Sequence, residues 1–543
     1  MRLINTRSLE LHDFSLAEIP PYAILSHTWG DSEMTFQELS LPQRQRAAKK
    51  GYVKIEKTCE LALKDGLGFA WIDTCCIDKS SSAELTESIN SMFQWYKAAE
   101  LCYVALEDLP PDVAPEEGFS MCRWFSRGWT LQELLAPRTM KFYDMGWNYR
   151  GLKPDFISTI ARITSVPMSL LKGYRDVAHY SVAERMSWAA CRQTTRVEDI
   201  GYCLLGIFDV NMPLIYGEGI KAFRRLQEEI VKRTNDLTIF AWESPSQQSS
   251  RLGLFAHSPE AFAGSAGILP FSDDFLDFSV SNKGLLLRSS DSVQRIASVN
   301  RNNQPYEDTV RYLINLGTRK DAEGGIYLRK IGPNVFYRDG ELPLAGFGRN
   351  LVQQEHLFDA TDYYILLESA TYRDSSAWPF RSGAVHIPFH SDDTFTLCDA
   401  VPTTLWDATD RVFLRPKPYT WSRYPMVLAT AFEGSLANST VSLVVLCDYR
   451  STDRPPVCKL SERSHFQHEA EMIFRGRHRH ESTYWADLEL QAPRVLELTD
   501  FVDVKVGHQV FTISVSLVQE NVEIDSSEIN MFNLVFDVIP RMK

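Results

Sequence analysis

The feature that most constrains the fold is the alternation of strand-like and helix-like segments over the first 145 residues. Four short apolar runs read as strands, namely "YAIL" (22–25), "FAWID" (69–73), "LCYVAL" (101–106) and "TMKFYD" (139–144). Segments with apolar residues at helical spacing lie between them, and Ser81 or Ser82 is placed to cap the second of these helices. This alternation predicts an α/β domain over residues 1–150, in which helices pack on a parallel sheet.

The hydrophobic period changes twice further along the chain. Residues 151–242 show helical spacing and predict a helical extension of the first domain. A polar segment rich in Ser and Gln follows at 243–252 and is the best linker in the chain. Beyond it, segments such as "STVSLVVLCDY" (439–449) and "HQVFTISVSLV" (508–518) alternate with period two. Residues 253–543 are therefore expected to form a β-rich, sandwich-like domain.

Charge and cysteine content exclude several classes of function. The 57 basic and 70 acidic residues give a net charge of −13, which argues against nucleic acid as a partner. None of the ten cysteines forms a C-x-x-C pair, and His465, His468, His478 and His480 lack an evident further ligand, so no metal site is expected. The chain has no apolar signal core and no membrane-length apolar run, which favours a cytoplasmic protein without a membrane span.

Polar residues cluster where the first strong strand should end. Ser26, His27, Thr28, Trp29 and Gly30 directly follow "YAIL". Asp73 closes the next strand-like run. Because ligands of open α/β sheets bind at the carboxyl ends of the strands, these residues are candidates for a binding site.

Four stretches closely resemble the fungal heterokaryon incompatibility (HET) domain and its helical extension. They are "LINTRSLEL…PPYAILSHTWG", the segment from "FAWIDTCCIDKSSS" to "LCYVAL", "FSRGWTLQELLAP", and "TTRVEDIGYCLLGIFDVNMPLIYGEG…AFRRLQEEI". They occur in the family's order and cover roughly residues 1–240. The resemblance implies a fold similar to the TIR domain, a flavodoxin-like α/β sheet, for the first domain.

The resemblance also implies a catalytic residue. TIR domains that cleave NAD carry a glutamate in a Trp-Cys-x-x-Glu-Leu motif, and residues 129–134 match it except that Thr130 replaces the cysteine. Glu133 would then be the catalytic carboxylate that stabilises an oxocarbenium-like ribose. The alternative is a structural glutamate paired with Arg127 or Arg138.

The same resemblance assigns binding roles to the neighbouring polar residues. Ser26 and Thr28 would bond ribose or phosphate, Trp29 would stack on a ring, and Gly30 would allow close approach of the backbone. Asp73 would orient His27 or a ribose hydroxyl. The predicted substrate-binding set is Ser26, His27, Thr28, Trp29, Gly30, Asp73, Arg127 and Trp129. Structural alternatives are a partly buried Trp29 and a hydrogen-bonded turn histidine at 27.

Three hypotheses for the function follow. The first is an incompatibility protein that triggers programmed cell death by cleaving NAD, with NAD as substrate and no other cofactor. The second is a self-associating signalling module without enzymatic activity, in which the β-rich region meets an unknown protein trigger. The third is an enzyme of small-molecule metabolism with an unrelated substrate. The sequence alone leaves all three open.

Overall fold

The structure is a computed structural model in which the chain divides into two compact units. Unit 1 comprises Met1–Val280, Asn315–Ile326 and Gly340–Asn350, and unit 2 comprises Ser281–Ile314, Tyr327–Asp339 and Leu351–Lys543. The structure describes residues 1–15, 18–244, 251–270, 278–282, 284–287, 293–296, 311–320, 322–332, 335–340, 344–346, 354–355, 363–367, 383–387, 394–401, 405–407, 411–415, 427–448, 456–464, 498–524 and 527–541. The predicted boundaries at 150, 242 and 253 stay predictions, and the histidine cluster at 465–480 lies outside the described residues.

A mixed sheet forms the centre of unit 1. Its strands are β1 (Arg2–Asn5), β2 (Leu11–Asp13), β3 (Tyr22–His27), β4 (Phe69–Trp71), β5 (Leu101–Ala105), β6 (Met140–Tyr143) and β7 (Tyr149–Leu152). They are arranged in the order β2-β1-β4-β3-β5-β6-β7. The four strands predicted from the sequence are β3 to β6, and all of their mutual pairings are parallel.

The predicted parallel sheet is extended at its edges by antiparallel strands that the sequence analysis did not predict. Strands β1, β2 and β7 pair antiparallel with their neighbours. The connections β1–β2 and β6–β7 are only a few residues long, which permits a hairpin but not the crossover that a parallel pair requires. In chain order the parallel strands lie 2-1-3-4, so the direction of winding reverses between β3 and β5.

Helices lie beside the sheet and also form most of the segment that follows it in the chain. Beside the sheet are α1 (Phe36–Leu39), α2 (Gln43–Arg46), α3 (Tyr52–Lys64), α4 (Asp73–Cys76), α5 (Ser82–Ala98), α6 (Pro115–Gly118) and α7 (Thr130–Leu135). The predicted helical extension contains α8 (Ile157–Thr164), α9 (Met168–Leu171), α10 (Val182–Ser187), α11 (Asp199–Tyr202), α12 (Leu205–Phe208) and α13 (Lys221–Val231). Among the described residues, no helix is both long and apolar enough to cross a membrane.

Local sequence signals explain the two longest helices beside the sheet. The Ser81 side chain accepts a hydrogen bond from the Glu84 amide and so caps α5, which confirms one of the two predicted caps. Helix α3 buries Tyr52, Ile55 and Cys59 on the predicted apolar face. Strand β3 is buried over its whole length because it is covered on both faces.

The remainder of the described chain is rich in strands, as predicted. The strands are β8 (Arg251–Leu252), β9 (Phe278–Ser281), β10 (Gly284–Leu287), β11 (Val293–Ile296), β12 (Arg311–Arg319), β13 (Ala322–Gly332), β14 (Val335–Asp339), β15 (Ala345–Gly346), β16 (Gln354–Glu355), β17 (Tyr363–Ile365), β18 (Ala384–His386), β19 (Phe395–Val401), β20 (Trp406–Asp407), β21 (Val412–Phe413), β22 (Val427–Leu436), β23 (Ser439–Asp448), β24 (Val457–Glu462), β25 (Phe501–Val506), β26 (Gln509–Ile524) and β27 (Ser527–Arg541).

Two sheets of unit 2 share one hydrophobic core. Their strand orders are β20-β21-β18-β27-β26-β25 and β19-β22-β23-β24. Phe432 and Val445 from the second sheet belong to the same buried cluster as Phe413 and Ile513 from the first. Alternation of apolar and polar residues along β26 and a buried apolar run in β23 supply the inward faces, which agrees with the predicted sandwich-like architecture.

A close approach of α12 to α5 yields a test of the packing in unit 1. A Cβ atom added at Gly206 would overlap the Cβ of Phe93, so Gly206→Ala should lower the free energy of unfolding by about 1–3 kcal/mol despite the better helix propensity of alanine. Urea denaturation measures the change. Gly68→Ala is the control, because a Cβ there meets no atom within 4 Å, and it should stay within about 0.5 kcal/mol. Equal free energies of unfolding for the two variants would contradict the close packing of α12 against α5.

Candidate functional site

Strand β3 ends in three buried polar residues, Ser26, His27 and Thr28. Their exposed fractions are 0%, 6% and 3%, whereas the following Trp29 is 43% exposed. Because side chains alternate along a strand, Ser26 and His27 point to opposite faces of the sheet. The strand end therefore carries two separate polar clusters, and both lie near the point where the winding reverses.

The first cluster is a chain of buried hydrogen bonds. The Trp124 indole Nε1 donates to Ser26 Oγ at 2.7 Å, and the Ser26 hydroxyl donates to Glu133 Oε2 at 2.5 Å. Trp124 is 0% exposed, so its indole N–H can bond only to groups inside the protein. Ser26 thereby satisfies an indole and a carboxyl group at once, and it joins strand β3 to helix α7.

Burial changes the acidity of Glu133. The side chain lies in α7 and is only 7% exposed, and burial raises its pKa to about 8. The hydrogen bond from Ser26 and the charge of Arg127 act in the opposite direction, while the negative charge of Asp73 adds to the rise. Near neutral pH the group is largely a neutral acid that ionises just above the physiological range.

Residues of the helical extension hold the amino end of α7. Arg192 Nη1 donates to the Arg127 carbonyl at 2.8 Å and to Thr130 Oγ1 at 3.0 Å. The Thr130 hydroxyl also contacts the carbonyls of Trp124 and Arg127. Thr130 thus fixes the turn that precedes Glu133.

A buried lysine holds the other end of the same helix. Lys153 Nζ donates to the Leu134 carbonyl at 3.0 Å, and burial lowers its pKa to about 8. A cation at the carboxyl end of a helix also interacts favourably with the helix dipole. Sequence reasoning missed Lys153 and Arg192, because neither belongs to a motif and both reach α7 only through the tertiary fold.

The second cluster surrounds His27. Its Nε2 lies 3.8 Å from Glu33 Oε2 and 4.0 Å from Asp73 Oδ1, which are both too long for a hydrogen bond. Burial, reinforced by the positive charge of Lys54, lowers the pKa of His27 to about 3, so the imidazole is neutral at physiological pH. Lys54 forms ion pairs with Glu33 and Glu107.

Trp29 forms the exposed border of this cluster. Its Nε1 donates to Asp73 Oδ2 at 2.9 Å, and Lys79 Nζ lies 3.5 Å from the ring centroid. The lysine therefore covers one face of the indole through a cation–π contact. The structure brings Trp29, Asp73 and His27 together, as expected from neighbouring strand ends.

Of the other predicted binding residues, Arg127 and Trp129 bond to the helical extension, whereas Gly30 contacts the His27 cluster. Arg127 Nη1 donates to Thr195 Oγ1 at 3.1 Å, and Trp129 Nε1 donates to Asp199 Oδ2 at 3.3 Å. Both side chains thus contact the helical extension. The Gly30 amide donates to Glu33 Oε1 at 2.8 Å and orients that carboxylate. The binding roles of these residues stay predictions.

The described residues contain no group of three or more His, Cys, Asp or Glu side chains that could hold a metal ion. The chemistry available in the described site is therefore that of a buried carboxyl group, a neutral imidazole and two further carboxylates beside an exposed indole.

The role of Ser26 in the first cluster is testable. Ser26→Ala removes the acceptor of the Trp124 indole and the donor to Glu133, and it should cost about 2–4 kcal/mol of unfolding free energy because both partners are buried. Urea denaturation measures the loss. The exposed Ser82→Ala serves as control and should change stability by less than about 0.5 kcal/mol. A similarly small effect at Ser26 would contradict the hydrogen-bond chain.

Comparison with known proteins identifies the first part of the chain. Residues 22–116 match the family model of the heterokaryon incompatibility protein (HET), and residues 221–310 match a domain of unknown function, DUF8212. The first match includes Ser26 to Gly30 and Asp73 but ends before Glu133. No solved structure matches the chain.

A curated relative supports the same assignment. The chain is 44% identical over 248 residues to the vegetative incompatibility protein HET-E-1 of Podospora anserina. The aligned part is 44% of this chain and 18% of the relative, so the chain spans less than a fifth of that protein's length. The family model, this relative and the motifs at the end of β3 agree, and the chain therefore contains a HET domain.

Proposed function

We propose that this chain is a heterokaryon incompatibility protein that triggers programmed cell death. The HET domain and the relative named as a vegetative incompatibility protein support this role. The ten cysteines are free thiols, which supports a reducing compartment such as the cytoplasm. The trigger is an unidentified protein partner.

The proposed activity is cleavage of NAD into nicotinamide and ADP-ribose. The bond between ribose C1′ and the pyridinium nitrogen breaks, its electron pair leaves with nicotinamide, and water adds to C1′ with release of a proton. Since the departing pyridinium becomes neutral as it leaves, it needs no general acid. One carboxylate that stabilises the oxocarbenium-like ribose is sufficient, in contrast to the pair in ordinary glycosidases.

The observation that carries the proposal is the buried Glu133 held by Ser26 at the end of β3. In open α/β sheets, ligands bind outside the carboxyl ends of the strands where the winding reverses, and here the reversal lies between β3 and β5. The order 2-1-3-4 of the parallel strands is that of flavodoxin-like sheets. This order and the position of Glu133 on the helix after the third parallel strand support a TIR-like domain.

A second candidate function is a self-associating signalling module without catalysis. One observation favours it: Glu133 is 7% exposed and already bonded to Ser26, which is also the expected arrangement for a structural carboxyl group. In that case toxicity depends on assembly of the domain and is independent of the carboxylate. An assay of NAD turnover separates the two functions.

The enzymatic proposal predicts loss of turnover when the carboxylate is removed. Purified full chain incubated with NAD should release nicotinamide, and Glu133→Ala should reduce the rate by at least ~100-fold because the cation-stabilising charge is lost. Chromatography measures nicotinamide over a range of protein concentrations. The control is Glu60→Ala on the exposed side of α3, which should retain the rate within about twofold.

Turnover that survives Glu133→Ala would contradict the catalytic role. Absence of turnover by the wild-type protein at every concentration would favour the signalling module. Toxicity that persists in the Glu133→Ala variant would also favour the signalling module.

The raised pKa of Glu133 predicts the pH dependence. Only the ionised carboxylate stabilises a cation, and burial raises its pKa to about 8. The rate of nicotinamide release should therefore increase about tenfold per pH unit between pH 6 and 7 and level off above about pH 9. Initial rates in overlapping buffers measure the profile. A rate that is flat from pH 6 to 9 would contradict ionisation of Glu133 as the controlling step.

A further inference from the structure

Two buried polar atoms beside Trp29 lack a hydrogen-bond partner. They are His27 Nε2 and Asp73 Oδ1, and they lie 4.0 Å apart. The His27 side chain is 1% exposed, so its unpartnered nitrogen is enclosed by the protein. Buried polar groups are almost always bonded. A hydroxyl oxygen displaced by about 2 Å from the line that joins these two atoms would lie about 2.8 Å from both, which is hydrogen-bond distance.

A second carboxylate oxygen lies near the same imidazole nitrogen. Glu33 Oε2 is 3.8 Å from His27 Nε2, while Glu33 Oε1 accepts the Gly30 amide at 2.8 Å and pairs with Lys54. The carboxylate is therefore fixed with one oxygen turned towards His27. The neutral imidazole does not compensate the negative charge of the two carboxylates. This group of side chains therefore suits a ligand that donates hydrogen bonds, and it would repel an anion.

A vicinal diol has the matching chemistry. One hydroxyl can donate to Asp73 and its neighbour to Glu33, with His27 between them. Asp73 also lies at the carboxyl end of the second parallel strand, which is the position from which an acidic residue binds a ribose hydroxyl in doubly wound dinucleotide-binding sheets. We propose that His27, Glu33 and Asp73 form a subsite for the unphosphorylated ribose diol of adenosine in a dinucleotide.

The assignment to the adenosine ribose rests on the proposed function. Ser26, which holds Glu133, and His27 are adjacent in β3 and face opposite sides of the sheet. The Glu133 cluster and the diol subsite thus begin on opposite faces of one strand end, close enough for the charge of Asp73 to act on Glu133, and a dinucleotide carries two riboses. If the nicotinamide ribose lies at Glu133, the adenosine ribose occupies the diol subsite.

The subsite should discriminate against a 2′-phosphate. A phosphate on this ribose would place about two negative charges against the carboxylates of Asp73 and Glu33. Of the nearby cations, Lys54 pairs with Glu33 and Glu107, Lys79 lies over the Trp29 ring, and Arg127 bonds Thr195. The domain is therefore specific for dinucleotides of the NAD type over those of the NADP type.

Calorimetric titration of the full chain tests the subsite without any turnover. The probes are ADP-ribose, its 2′-phosphate and its 2′-deoxyadenosine analogue, none of which contains a nicotinamide bond. Wild-type protein should bind ADP-ribose at least ~30-fold more tightly than the 2′-phosphate, because the phosphate would face the carboxylates. It should bind ADP-ribose ~10-fold more tightly than the deoxy analogue, which leaves an acceptor of the protein unpaired.

Asp73→Asn removes the charge and keeps an acceptor for the Trp29 indole. It should weaken binding of ADP-ribose about 10-fold and reduce the penalty for the 2′-phosphate. Asp31→Asn is the matched control, since it makes the same charge change on an exposed carboxylate in the loop that follows β3 and should alter each affinity less than about twofold. Glu33→Gln is a second variant, with an effect expected in the same direction, should Asp73→Asn fail to fold.

Equal affinity of the wild-type protein for the three probes would overturn the subsite, and so would absence of ADP-ribose binding. An effect of Asp73→Asn no larger than that of Asp31→Asn would overturn it as well. Discrimination among the probes without release of nicotinamide from NAD would support the subsite while the proposed cleavage fails. Release of nicotinamide without discrimination would support the cleavage while the subsite fails.

Discussion

The hydrogen-bond chain from Trp124 through Ser26 to Glu133 is the interaction on which the rest of the site depends. It lies at the end of a strand that is buried on both faces, where an unsatisfied polar group would be costly. The serine hydroxyl satisfies the indole and the carboxyl group together. It thereby fixes helix α7 against strand β3, and it holds in the protein interior a carboxyl group that titrates close to neutral pH.

The reversal of side-chain direction between Ser26 and His27 divides the strand end into two environments. On one side a single carboxyl group is buried with a raised pKa. On the other side two carboxylates flank a neutral imidazole, and Trp29 closes the border. Adjacent residues of one strand thus present different chemistry on the two faces of the sheet. The proposed separate roles in bond cleavage and in recognition rest on this division.

The sequence predicted the elements that local patterns encode. The four central strands, the capping of α5 by Ser81 and the β-rich second half follow from apolar periodicity and from cap chemistry. The grouping of Asp73 with Trp29 and His27 also follows, because parallel strands end at the same edge of the sheet. The antiparallel edge strands were missed, since three- and four-residue strands carry little periodic signal.

The supporting residues could not be found from local patterns. Lys153 and Arg192 are distant in sequence from α7 and hold its two ends through backbone carbonyls, a contact that leaves no motif. Glu33 and Lys54 meet only when α3 packs on the sheet. The burial of Glu133, and hence its raised pKa, likewise depends on the tertiary packing of α7.

A crystal structure of the Glu133→Gln chain in complex with NAD would show whether the carboxyl end of β3 binds and orients a dinucleotide, as proposed. The nicotinamide ribose should lie beside residue 133, and hydroxyls of the second ribose should lie within hydrogen-bond distance of Asp73 and Glu33. A dinucleotide bound elsewhere, or bound here with a phosphate against Asp73, would contradict the proposal.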